Sequence, residues 1–138
     1  MHRLILLSVL FASLVVSELL YAQPFPVPQG AKCDECGMSV EEGSQFLGEA
    51  ITTDGKKVFF CDIGDMLFHF RKERGKIKVS NVKDYATGEW IDGKKALFIL
   101  NKDIKTPMSW GIVAFARQSE AKKWGTPVDF SAAFTLIK

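Results

Sequence analysis

The chain has 138 residues, 47% of them apolar and 25% charged, with a formal net charge of +2. Acids and bases are interspersed and no basic stripe follows any predicted element, which argues against nucleic acid as a partner. Its three cysteines are an odd number, so a framework of disulfides alone would leave one thiol over.

Arg3 gives a charged start, and Leu4 to Val16 is an unbroken apolar or small run. Glu18 keeps that run below the roughly 18 to 20 apolar residues of a membrane span. The pattern predicts a signal peptide over residues 1–22, cut near Ala22, and export to an oxidising space. No cysteine lies near the predicted cut, so lipid attachment is not expected. Residues 23–32 follow as a linker. Gln23 to Gln29 alternates with proline, which favours extended polyproline geometry, and predicts a spacer. What remains, residues 33–138, is long enough for one domain with a real core.

That domain starts at Cys33-Asp34-Glu35-Cys36-Gly37-Met38, three sulfur side chains in six residues. Thiolate and thioether sulfur select soft ions such as Cu(I), because a polarisable donor suits a polarisable cation. Gly37 permits a positive φ, which lets the chain fold back on the cysteine pair.

Gln45 to Ile51 and Lys57 to Cys61 predict a hairpin turned by Thr53-Asp54-Gly55-Lys56. Asp62 then caps a helix whose apolar residues are Ile63, Leu67 and Phe70, with Asp65 in the capping-box position. This helix is expected to reach Arg74 and stop at Gly75. At 100° per residue, Asp62, Met66 and His69 share a stripe beside its apolar face. The second half repeats the theme, with Lys83 to Ile91 and Ala96 to Leu100 flanking Asp92-Gly93-Lys94-Lys95, a near copy of the first turn. Gly111 to Ala116 predicts a further strand leading into a short helix over Gln118 to Trp124. The expected class is α+β, with mainly antiparallel strands in two related strand-strand-helix units.

After the predicted cut only three methionines remain, each in a marked segment: Met38 beside the cysteines, Met66 beside His69, and Met108 in Thr106-Pro107-Met108. Pro107 stiffens the loop that presents Met108. The cysteine pair admits several readings. A thiol-dependent enzyme, either an oxidoreductase or an organomercurial-lyase relative, would use Cys33 or Cys36 with Cys61, and Asp62 or Asp65 as proton carrier, but Asp34 and Glu35 oppose the electropositive setting an activated thiol-disulfide catalyst needs. A structural zinc site would combine Cys33, Cys36, Cys61 and His69. A Cys33–Cys36 disulfide would be a small ring of little structural value. Cys61 by itself reads as a small buried hydrophobe.

Cys33 through Met38, the stretch Phe59 through Leu67, Gly88 through Asp92 and Thr106-Pro107-Met108, in this order, resemble the NosL family, the nitrous oxide reductase accessory proteins. The resemblance implies a periplasmic copper chaperone, not an enzyme, which binds Cu(I), with a fold similar to the carboxy-terminal part of organomercurial lyase. Members of that family are commonly lipoproteins, and the absence of an attachment cysteine departs from this. A copper-receiving enzyme or assembly complex, such as nitrous oxide reductase, and a membrane-associated copper donor are the implied partners. The expected ligand set is Cys33, Cys36, Met38 and Met108, with Met66 and His69 in reserve.

Overall fold

In a computed structural model, residues 24–138 are described; the expected signal peptide lies outside them. Asp54-Gly55 makes the turn its sequence requires. Gly55 takes φ 87°, its amide donates to the Thr52 carbonyl at 2.8 Å, and β1 (Gly48–Thr52) pairs antiparallel with β2 (Lys57–Phe60) from Gly48↔Phe60 to Ile51↔Lys57. On the other side of β1 lies β3 (Ile77–Lys83), also antiparallel, and β3 carries β4 (Trp90–Asp92) on its far edge. The sheet order is β2-β1-β3-β4.

The second hairpin is not the expected one. Asp92-Gly93 does not fold Ala96–Leu100 back onto the preceding strand. Instead β5 (Leu97–Leu100) pairs antiparallel with β6 (Ile112–Phe115) in a separate two-stranded sheet. The two sheets meet where Asp84 bridges Ala114, with the Tyr85 amide donating to the Ala114 carbonyl at 2.8 Å. The class remains α+β, and two strand-strand-helix units are present, the second built from β5, β6 and the short α2 (Gln118–Ala121). A last pair of turns, α3 (Phe130–Ala133) and a 3-10 turn over Phe134–Leu136, follows.

The helix α1 (Ile63–Phe70) is capped by Asp62, whose carboxylate accepts from the Gly64 amide at 2.8 Å. It ends four residues before Arg74. Arg71 leaves the helix with its guanidinium 4.4 Å from the Phe68 ring centroid, and a 3-10 turn over Arg74–Lys76 takes over. Ile63, Met66, Leu67 and Phe70 are buried, and α1 touches β1, β2 and β6, so it stands where both sheets come together. Gly48 of β1 makes room for it: a Cβ there would sit 2.8 Å from the Met66 sulfur. Full burial of Phe60, Phe98 and Phe115 contributes roughly 1.5–3 kcal/mol each.

The proline-rich stretch is not a free spacer over its described part. Phe25 is buried, its ring meets Phe59 edge-on at 5.5 Å, and its amide donates to Glu49 Oε1 at 3.0 Å. Glu49 is itself buried in β1. Asn81 also donates to Oε1, at 3.0 Å, while Oε2 has no partner, and burial raises the carboxyl above its usual range.

Candidate metal centre

Cys33 to Met38 forms a closed loop. An antiparallel bridge joins Lys32 to Ser39, the Cys33 amide donates to the Met38 carbonyl at 2.7 Å, and the Gly37 amide donates to the Cys33 carbonyl at 2.9 Å. Gly37 takes φ 77°, the left-handed conformation that glycine adopts without Cβ strain. The Cys36 amide points at Cys33 Sγ, 3.5 Å away, and the Met38 amide at Cys36 Sγ, so backbone donors already face the sulfurs.

The two acids between the cysteines dock this loop. The Asp34 amide donates to the Phe59 carbonyl at 2.8 Å, and the Phe59 amide donates to Asp34 Oδ2 at 2.9 Å, which adds one rung to the outer edge of β2. Glu35 holds His69 Nδ1 at 2.8 Å and thereby ties the loop to α1. Cys61 emerges from the end of β2, immediately before the capped start of α1. Its sulfur is 3.4 Å from Cys36 Sγ. Asp65, one helical turn further on, accepts from the Cys33 thiol at 3.4 Å, and the same oxygen is 3.8 Å from Cys61 Sγ. The sulfurs of Cys33, Cys36 and Cys61 and a carboxylate oxygen of Asp65 all lie within 4.8 Å of one another. All three cysteines are free; Cys33 and Cys61 are buried, and Cys36 is partly open to solvent.

A loop from the second unit closes over this group. Thr106-Pro107-Met108-Ser109 is a turn closed by the Ser109 amide on the Thr106 carbonyl at 3.0 Å, and Ser109 is left at φ 61°. The Met108 amide donates to Asp62 Oδ2 at 2.9 Å, so a single carboxylate caps α1 and holds the loop. Trp110 donates its indole N–H to Asp65 Oδ1 at 2.8 Å and lies directly on Gly64. A Cβ on Gly64 would stand 2.1 Å from Trp110 Cγ.

Burial pushes the Cys36 thiol up to about 11, partly offset by the Met38 amide. Cys61 is pushed up further by burial and by its sulfur neighbours. Burial also raises Asp62, against the hydrogen bonds of Thr106, Met108 and Gly64. A cation that replaced the protons of Cys36 and Cys61 would hold these sulfurs as thiolates. A nucleophilic thiol needs the opposite shift.

Cys33 and Cys36 stand in the centre. Met38 and Met108, 51% and 37% exposed, are bound to its surroundings through their backbone amides. Met66 is 1% exposed, and its sulfur faces Gly48 and accepts from the Ser80 hydroxyl at 3.8 Å, between helix and sheet. His69 packs between Phe60 and Phe70 and bonds Glu35. Of the alternative zinc set, Cys33, Cys36 and Cys61 come together, and Asp65 stands with them where that reading had His69. Cys61 and Asp65 were absent from the expected ligand set. By sequence Cys61 resembles a core residue and the spacing of Asp65 after Asp62 points to a capping box, although the position of Asp65 one turn after Cys61 is a usable signal.

A sequence profile of the NosL family matches residues 24–128. Among solved structures, the crystal structure of the copper chaperone NosL from Shewanella denitrificans superposes with a TM-score of 0.70, covering 79% of this chain and 93% of that one at 19% identity. No curated protein matches. Among the described residues, no helix is long and apolar enough to cross a membrane.

Proposed function

The chain belongs to the NosL family, and from that premise we propose that it is a periplasmic copper chaperone that carries Cu(I) on Cys33, Cys36 and Cys61. The observation that carries this reading is the convergence of three free sulfurs from two separate segments, with the closest pair 3.4 Å apart. Three thiolates are a soft donor set suited to Cu(I). Met38 and Met108 serve as neutral donors during entry and exit, since a thioether releases a metal more readily than a thiolate and forms no disulfide.

An incompletely saturated Cu(I) ion accepts a ligand from the partner before it leaves its own, so transfer proceeds by exchange and avoids release to water. The segment ahead of Gln23 exports the chain. A membrane-associated donor supplies the copper, and the client is a cuproenzyme or its assembly complex, such as nitrous oxide reductase. His69 acts on Glu35 and keeps the loop docked, and Met66 stays in the core.

Anaerobic titration against a chromophoric Cu(I) chelator tests the proposal. Cys36→Ser and Cys61→Ser are each expected to weaken binding by more than the roughly 10- to 100-fold that a change outside the ligand sphere costs. Met66→Leu is expected to leave the affinity unchanged. Wild-type affinity in Cys61→Ser would remove the three-sulfur site.

A further inference from the structure

Arg71 is a half-buried cation that the fold positions but leaves without an acceptor. It is the residue after α1, its amide donates to the Phe68 carbonyl, and its guanidinium lies 4.4 Å from the Phe68 ring centroid. Phe68 leans in turn on Trp110, with ring centroids 5.7 Å apart, so the stack is anchored to the loop that closes over the thiols. Beyond this stack, the guanidinium has no hydrogen bond or carboxylate partner among the described residues. A guanidinium held by its face keeps its N–H edge for a planar, two-oxygen acceptor.

Arg71 lines a cleft of about 330 Å³ together with Glu35, Phe68, His69, Lys72 and Glu73. Both acids of that cleft are already engaged, Glu35 with His69 Nδ1 at 2.8 Å and Glu73 with Lys76 at 2.9 Å. Lys72 is exposed and, among the described residues, has no partner. Two cations, one of them pre-oriented, are thus left over on an aromatic wall. The charge calls for carboxylates, and the volume and the Phe68 ring call for more than a small free anion. Glu35 belongs to the loop that carries Cys36, so a chain seated in the cleft lies beside the cysteine that is partly open to solvent.

We propose that this cleft is a docking site for an acidic segment of a partner protein. Arg71 receives one aspartate or glutamate side chain bidentately, Lys72 attracts a neighbouring acid, and Phe68 gives the apolar contact. Aromatic and arginine side chains are the usual anchors of such contacts. Which protein supplies the segment rests on the copper-carrier reading; the docking chemistry does not.

The test is calorimetric titration of reduced, metal-free full chain, with backbone amide shifts followed by NMR. The probe is a short synthetic peptide of glutamate and aspartate around one phenylalanine. Its glutamine and asparagine counterpart, succinate and phosphatidylglycerol vesicles are the comparisons. The acidic peptide should bind at least about 10-fold more tightly than the amide form, lose affinity with added salt, and shift the amides of Glu35 and of Phe68 through Glu73. Arg71→Lys keeps the charge but loses the stacked fork, and should weaken binding about 10-fold. Lys72→Gln, at an exposed position that the fold does not need, should weaken it about 2- to 5-fold. Equal affinity for the acid and amide peptides, unchanged binding in a folded Arg71→Lys and in Lys72→Gln, or shifts confined to another face overturns the proposal. So does succinate that binds as tightly as the peptide, which would make the cleft a small-anion site, or binding to the vesicles alone, which would make it a lipid site. Peptide binding by a chain that binds no Cu(I) would sustain it and overturn the copper reading; Cu(I) binding without peptide binding would do the reverse.

Discussion

Asp54-Gly55-Lys56-Lys57 and Asp92-Gly93-Lys94-Lys95 share four residues in the same order and sit in different structures. In the first, Gly55 adopts φ 87° and the chain reverses within one sheet, with nothing within 4 Å of where a Cβ would be. In the second, the Gly93 amide donates to the Ser80 carbonyl at 2.7 Å, the Asp92 carbonyl takes the amides of Lys95 and Ala96, and the chain leaves one sheet for the other. A Cβ on Gly93 would lie 2.5 Å from the buried Ser80 hydroxyl. The same residue is needed once for its backbone freedom and once for its lack of volume.

The units that contain β1-β2 and β5-β6 diverge further at their strand-to-helix junctions. Cys61-Asp62 leads into a capped helix of eight residues, whereas Ala116-Arg117 leads into a four-residue helix with no side-chain cap. The thiol cluster is built at the junction whose helix start is fixed by a buried carboxylate.

The largest expected effect falls at that junction. In an ordinary helix Gly64→Ala would add about 1 kcal/mol of stability. Here the new methyl meets the root of the Trp110 side chain at 2.1–2.3 Å, and overpacking of this kind costs roughly 1–3 kcal/mol. Chemical denaturation should show a net loss of up to about 2 kcal/mol together with a changed near-ultraviolet signal from Trp110. A stabilised variant would mean that the indole does not lie on α1.

The twin turns give the next test. Gly93→Ala should destabilise by about 1.5 kcal/mol through its collision with Ser80, and Gly55→Ala by about 1 kcal/mol through the left-handed backbone alone. Replacing Ser80 by glycine should rescue part of the Gly93→Ala loss and none of the Gly55→Ala loss. Equal responses to Ser80→Gly would erase the distinction between the turns.

The smallest effect concerns Glu49. Burial holds its carboxyl above the ordinary value of 4.5, so the folded chain keeps a proton that the unfolded chain has released. The stability this provides is complete below about pH 4.5 and is lost as pH rises through the folded value. Glu49→Gln has no charge to bury, so it should unfold at a higher denaturant concentration than wild type at pH 7, and the gap should narrow toward pH 4. A gap that widens in acid would contradict this.

The first unit was legible because its signals are local: an Asp-Gly turn, an Asp cap and an apolar face lie within a few residues of their partners. The start of α1 is encoded locally at Asp62. Its end is not, because the stacking of Arg71 on Phe68 and the 3-10 turn after it depend on packing. The pairing of β5 depends on β6, which lies beyond an eleven-residue excursion from Asn101 through Gly111 that carries the Met108 loop. The cysteine pair was visible as a motif. Cys61 and Asp65 joined it only through Asp34 on Phe59 and Trp110 on Asp65, contacts 25 and 45 residues apart.

The rung between Asp34 and Phe59 also governs how one molecule meets another. β2 is the outer strand of its sheet, and Val58-Phe59-Phe60 is an apolar run of high strand propensity. An uncovered edge of that kind is a template for strand addition by a second chain. The loop that carries Cys33 and Cys36 occupies the outward amide and carbonyl of Phe59, and Lys56 and Lys57 place charge at the start of the strand. Loss of order in that loop would therefore expose a sticky edge as well as three thiols.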